Sequence, residues 1–145
     1  MLHFAYGSNM DRAIMRRHAP MAIAAGTAAL ADHRLVICAD GYASIEKKPG
    51  ATVHGVLWRL TPRDRAKLDA WESVCAGLYR AEMLPVIRSG TRARARALVY
   101  IGRSRRLGRP KPGYMELVVA AAKHWRLPDR YIESLGHYLP AQAAG

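Results

Sequence analysis

The chain has 145 residues, half of them hydrophobic, which is enough for one domain with a sizeable core and too apolar for a disordered chain. Its 23 Lys+Arg against 11 Asp+Glu give a formal charge of +12, compatible with a polyanion partner, with small anionic substrates, or with no specific partner. No apolar run approaches the length of a membrane span, and the N-terminus has no basic region followed by an apolar one; the expectation is a cytoplasmic protein without a secretory signal.

Leu2 to Tyr6 is a short apolar run that breaks into Gly7-Ser8-Asn9, with Asp11 and a helical segment to His18 behind it. A strand entering a Gly/Ser/Asn turn before a helix turns several backbone N–H groups one way, which suits an anionic group or a developing oxyanion. Gly7 would let backbone approach a ligand closely. The same pattern also reads as a strand–turn–helix with Asn9 or Asp11 as N-cap and nothing bound. The first helix stops before Pro20.

Residues 21–39 predict two short strands around a turn at Asp32-His33, and Asp40-Gly41 is a further turn. Tyr42 to Lys47 reads as a short strand or a loop, closed by a turn at Lys48-Pro49-Gly50. Thr52 to Leu60 is apolar on both faces and predicts a central strand. Thr61-Pro62-Arg63-Asp64 is a strong helix start, with Thr61 as N-cap, Pro62 at the first helical position and an acid at the third. That helix runs to about Trp71, and Glu72 stands where it gives way.

Leu78 to Val86 alternates as a strand. Arg92, Arg94 and Arg96 alternate with Ala93, Ala95 and Ala97 before Leu98-Val99-Tyr100-Ile101, predicting a strand with a solvated Arg face and a buried end. Gly102 to Pro112 is a basic loop. Tyr114 to Trp125 is the clearest helix, and Pro128 starts a shorter one through Leu135. One domain over residues 1–139 is expected, with a frayed tail at 140–145. Cys38 and Cys75 form no CxxC and read as reduced, partly buried side chains.

Two segments taken together resemble the γ-glutamylcyclotransferase-like family, including γ-glutamylamine cyclotransferases and avirulence-induced-gene-like proteins. One is Phe4-Ala5-Tyr6-Gly7-Ser8-Asn9-Met10. The other is Gly55-Val56-Leu57-Trp58-Arg59-Leu60, followed by Leu68-Asp69-Ala70-Trp71-Glu72-Ser73-Val74 and Tyr79-Arg80. The late Tyr114…Leu127-Pro128-Asp129-Arg130-Tyr131 segment is similar too. The resemblance spans nearly the whole chain and implies an α+β fold, a small and mostly antiparallel β-barrel flanked by helices. It implies that Tyr6, Gly7, Ser8 and Asn9 form the substrate loop, that Glu72 is the catalytic acid/base, and that Tyr100 and Tyr114 place hydroxyls near the pocket. Ser73 departs from the glycine that often follows the glutamate.

The implied reaction is attack of the α-amine of a γ-glutamyl group on its own γ-carbonyl, releasing 5-oxoproline and an amine or amino acid. It needs a base, a proton for the leaving amine and a held conformer, but no metal, nucleotide or other cofactor. Ser8 as a nucleophile lacks any discernible Asp/His arrangement to activate it. Glu82 and Glu46 read as surface charges, and the scattered histidines lack metal-ligand spacing. Two other readings compete: a basic module binding RNA or another polyanion through Arg88 to Lys111, and a non-catalytic binder of a γ-glutamyl-like metabolite. The first lacks interleaved exposed aromatics, so a nucleic-acid partner is not favoured.

Overall fold

The computed structural model describes residues 1–74, 77–104 and 106–140. Cys75, Arg105 and most of the expected tail lie outside them. Five strands close into a barrel in the order β1-β3-β2-β4-β5, with β1 at Leu2–Ala5, β2 at Ile23–Ile37, β3 at Ala43–Arg59, β4 at Tyr79–Arg88 and β5 at Arg94–Gly102. All neighbours are antiparallel except β1 and β5, which pair in parallel at His3 and Leu98. Among the described residues four α-helices flank the barrel: α1 (Arg12–His18), α2 (Pro62–Trp71), α3 (Tyr114–His124) and α4 (Asp129–Gly136). The expected mixed fold is therefore present. Among the described residues no helix is long and apolar enough to cross a membrane.

Two sequence expectations about turns are corrected. Asp32-His33 does not separate two strands; β2 is continuous and carries a bulge there. Nor is Lys48-Pro49-Gly50 a turn between elements, because it lies within β3. The register jumps between the Ala31–Thr52 pair and the His33–Lys47 pair, so the two irregularities face each other. Asp32 has φ 57° and Gly50 φ 83°, and the Asp32 carboxylate accepts the Gly50 amide at 3.0 Å. Turn-forming residues here bend a long hairpin rather than end it, because a bulge wants the same left-handed backbone as a turn. The turn at Asp40-Gly41 closes this hairpin as expected, with Cys38 and Tyr42 joined by a backbone bond.

Alternation along the strands sends Phe4, Val53, Leu57, Val86 and Leu98 into the core, each at most 1% exposed. Helix α3 covers the barrel with Met115, Val118, Val119 and Ala122. Helix α2 starts with a complete capping box: Thr61 Oγ1 accepts the Asp64 amide at 3.1 Å, and Asp64 accepts the Thr61 amide at 3.2 Å. Asp64 is almost fully buried and also accepts the Met21 amide. The start of α2 is thereby fixed against both the end of β3 and the segment entering β2. A box of this kind is worth roughly 1 kcal/mol, and here it also sets where the far end of the helix falls.

Candidate active site

A cavity of about 290 Å³ opens at one end of the barrel. Strand β1 delivers Tyr6-Gly7-Ser8-Asn9 to its rim, where Ser8–Met10 forms one 3-10 turn. The first amides of such a turn have no acceptor within it. Asp11, not Asn9, caps α1, accepting the Ile14 amide at 3.0 Å. Asn9 is thereby released for another task. Its Nδ2 donates to Glu72 Oε1 at 3.2 Å, and its Oδ1 lies 3.1 Å from His18 Nδ1.

Glu72 is the residue at which α2 ends, and its amide is bonded to Leu68 O. Burial pushes its carboxyl up to about 7, opposed by the Asn9 bond. The negative end of α2 acts in the same direction as burial. Among the described residues no Lys or Arg forms an ion pair with it. Ser73, the departure from the family pattern, takes the left-handed conformation itself at φ 54°. A side chain there costs about 1–2 kcal/mol relative to glycine, yet the turn is made and the acid stays in place.

Five tyrosines line the cavity, and the hydroxyls of four of them, Tyr6, Tyr79, Tyr100 and Tyr114, bond within its wall. Tyr6 is buried and donates to the Tyr100 carbonyl. Tyr100 donates to Asp69 Oδ1 at 2.7 Å, and Asp69 is held in turn by Arg65. Tyr79 donates to the Ala43 carbonyl at 3.2 Å. Tyr114 accepts the Ala43 amide at 3.2 Å, which leaves its own proton free to turn toward a ligand. Burial raises the pKa of all four; Tyr114 is pushed up to about 12, with Glu72 adding to the rise and the Ala43 and Ser8 backbones opposing it. The hydroxyls are therefore neutral donors at physiological pH.

All the predicted site residues line this one cavity: Tyr6, Gly7, Ser8, Asn9, Glu72, Tyr100 and Tyr114. The competing acids do not; Glu46 pairs with Arg34 and Glu82 with Arg80 at the surface. The sequence reading missed His3, Asp40, Tyr42 and Tyr79, which also line it. Tyr79 had an available signal, since it sits in an alternating strand beside Leu78. His3 had none: its Nδ1 bonds the Leu98 carbonyl at 2.9 Å across the barrel seam, and burial pulls it down to about 4, so it is a neutral wall residue against Tyr100.

Comparison with known proteins places the chain. The model of the AIG2-like family matches residues 52–135, a stretch that includes Glu72. The chain belongs to the AIG2-like family. The Tyr6–Asn9 loop lies before that stretch, but relatives align with it as well. Gamma-glutamylcyclotransferase of Mus musculus is 30% identical, over 99% of this chain and 81% of the relative. The Homo sapiens protein of the same name is 28% identical over the same shares. A solved structure named gamma-glutamyl cyclotransferase superposes with a TM-score of 0.90 at 26% identity, covering all of this chain and 91% of its own. The family resemblance seen in the YGSN loop and Glu72 is thus borne out, as is the barrel fold.

Proposed function

We propose that the protein is a γ-glutamyl cyclotransferase in which Glu72 is the general acid/base. The observation that supports this most is the Glu72 carboxyl, half-buried with no ion-pair partner among the described residues and held near neutrality, facing the Gly7–Asn9 loop inside a tyrosine-lined cavity. A base for amine deprotonation works best with such a value.

The α-ammonium of a γ-glutamyl group gives a proton to the Glu72 carboxylate. The freed amine attacks the γ-carbonyl, forming the carbon–nitrogen bond of a five-membered ring. The tetrahedral intermediate collapses with cleavage of the original amide bond, and the protonated Glu72 returns a proton to the leaving nitrogen. Over the cycle protons pass from attacking to leaving nitrogen and the carboxylate is regenerated. Products are 5-oxoproline and an amine or amino acid. Loop amides at Gly7, Ser8 and Asn9 and the Tyr114 hydroxyl are the donors for the substrate carboxylate or the oxyanion. Tyr6 and Tyr100 form the wall that folds the substrate toward its ring-closing conformer.

The deciding experiment is release of 5-oxoproline from glutathione, γ-glutamyl amino acids, γ-glutamyl-ε-lysine and other γ-glutamylamines. Turnover of at least one is expected, with kcat/KM rising with pH through a limb near 7, because protonated Glu72 cannot accept the α-ammonium proton. A folded protein that turns over none of these compounds overturns the reading.

Gly7 tests the loop. A Cβ at this position would lie 2.8 Å from the Tyr114 hydroxyl, driving the loop and that ring apart. Gly7→Ala is expected to lower kcat/KM by about 10–100-fold with little change in melting temperature. Unchanged kinetics would remove the loop from the binding site.

A further inference from the structure

His18 lies outside the cavity lining, at the last position of α1, yet its ring is held from two sides. It stacks on Trp71 with centroids 3.8 Å apart and planes 26° apart. Its Nδ1 is 3.1 Å from Asn9 Oδ1. Trp71 directly precedes Glu72, and Asn9 donates to Glu72. The histidine therefore ties the end of α1 to the end of α2 through both contacts of the acid's neighbourhood. The charged groups around it are Arg17 on its own helix, whose charge with burial lowers its basicity, and Glu72 at the end of α2, across Asn9.

We propose that His18 is a positioning residue that fixes which end of the Asn9 carboxamide faces Glu72. This inference rests on the reading of Glu72 as the base. A carboxamide has two nearly isosteric ends, one donor and one acceptor. With a hydrogen on Nδ1, His18 occupies the oxygen, and the NH2 group must point to Glu72. That orientation favours the carboxylate, the form able to take a proton. Reversed, the carboxamide oxygen would face Glu72 and favour its protonated form. A bond from His18 thus sets the fraction of working base without touching substrate.

Two substitutions separate the bond from the stack. His18→Phe keeps a ring on Trp71 and removes the donor. His18→Asn loses the ring and places an amide N–H near where Nδ1–H stood. The Glu72 side-chain carboxyl is titrated by carbon-13 NMR in the full-length wild type and each variant, and the kcat/KM pH profile is recorded beside it. In His18→Phe the Glu72 midpoint is expected to move up by about one pH unit, a tenfold loss of carboxylate at a given pH below it. The acid limb of kcat/KM follows while KM stays nearly constant. His18→Asn is expected to titrate like wild type. His18→Leu repeats the loss of the donor should the phenyl ring not be accommodated. An unmoved midpoint without the donor, or equal movement in His18→Phe and His18→Asn, overturns the proposal. Should the wild type turn over no γ-glutamyl compound, the role of Glu72 as base falls, while the carboxyl titration still decides whether His18 positions Asn9.

Discussion

Glu72→Gln is expected to cost about 10²–10⁴-fold in turnover and, at the same time, to make the protein more stable above neutral pH. Glutamine keeps the shape and can still bond Asn9, but it can neither take a proton from the α-ammonium nor return one. The stability effect follows from where the native acid titrates. Folded Glu72 holds its proton up to about 7, against 4.5 for the ordinary group. Between those values the folded state binds more protons than the unfolded one. Stability therefore falls as pH rises through this window. Below it both side chains are neutral and the variant gains nothing. Above it the native protein carries a buried charge that the variant lacks, a difference of roughly 2–3 kcal/mol. Melting temperatures of the two proteins at pH 4 and pH 8, with 5-oxoproline release at pH 8, check both halves. A variant that is inactive yet no more stable at pH 8 would mean that the carboxyl is not held near neutrality. A variant that remains active would mean that another group is the base.

The second large effect is expected at Gly55, on the strand behind β1. It sits in β3 beside Val56, the residue that pairs with Ala5 of β1. A Cβ at Gly55 would lie 2.3 Å from the Ala5 carbonyl oxygen and 2.9 Å from the Phe4 ring. Neither can give way, since one is strand backbone and the other a fully buried ring. Gly55→Ala is therefore expected to destabilise the protein by about 3 kcal/mol or more. Gly136, near the end of α4, is the control: an added Cβ there meets nothing within 4 Å, and Gly136→Ala should be neutral or stabilising by up to about 1 kcal/mol. Equal melting temperatures for Gly55→Ala and wild type would show that β1 is not clamped on β3 as described.

Local chemistry made much of this legible in the sequence. The Thr61–Asp64 box and the polar break after Tyr6 announce themselves because capping and turn formation depend on residues only a few positions apart. The same locality explains the errors. Asp32 and Gly50 carry turn chemistry, and only the pairing of β2 with β3 reveals that they face each other in one bent hairpin. His3 and Tyr79 reached the cavity wall through barrel closure, which decides what each strand face looks upon. The contact between His18 and Asn9 is close in sequence and still hidden, because the sequence leaves the capping role open between Asn9 and Asp11, and only the structure gives it to Asp11. The family resemblance, together with the poor fit of a structural acid to the last turn of a helix, singled out Glu72 as a candidate.

The parallel seam between β1 and β5 has a consequence for how the site comes into being. His3 and Leu98 meet across 95 positions of chain, and the residues that would contact substrate come from within and after that span. Such a high contact order makes assembly slow compared with that of a helical bundle. No segment shorter than residues 3–98 contains both the loop and the acid with the seam that sets their separation. Competence for catalysis is therefore a property of the shut ring and not of any one strand or helix.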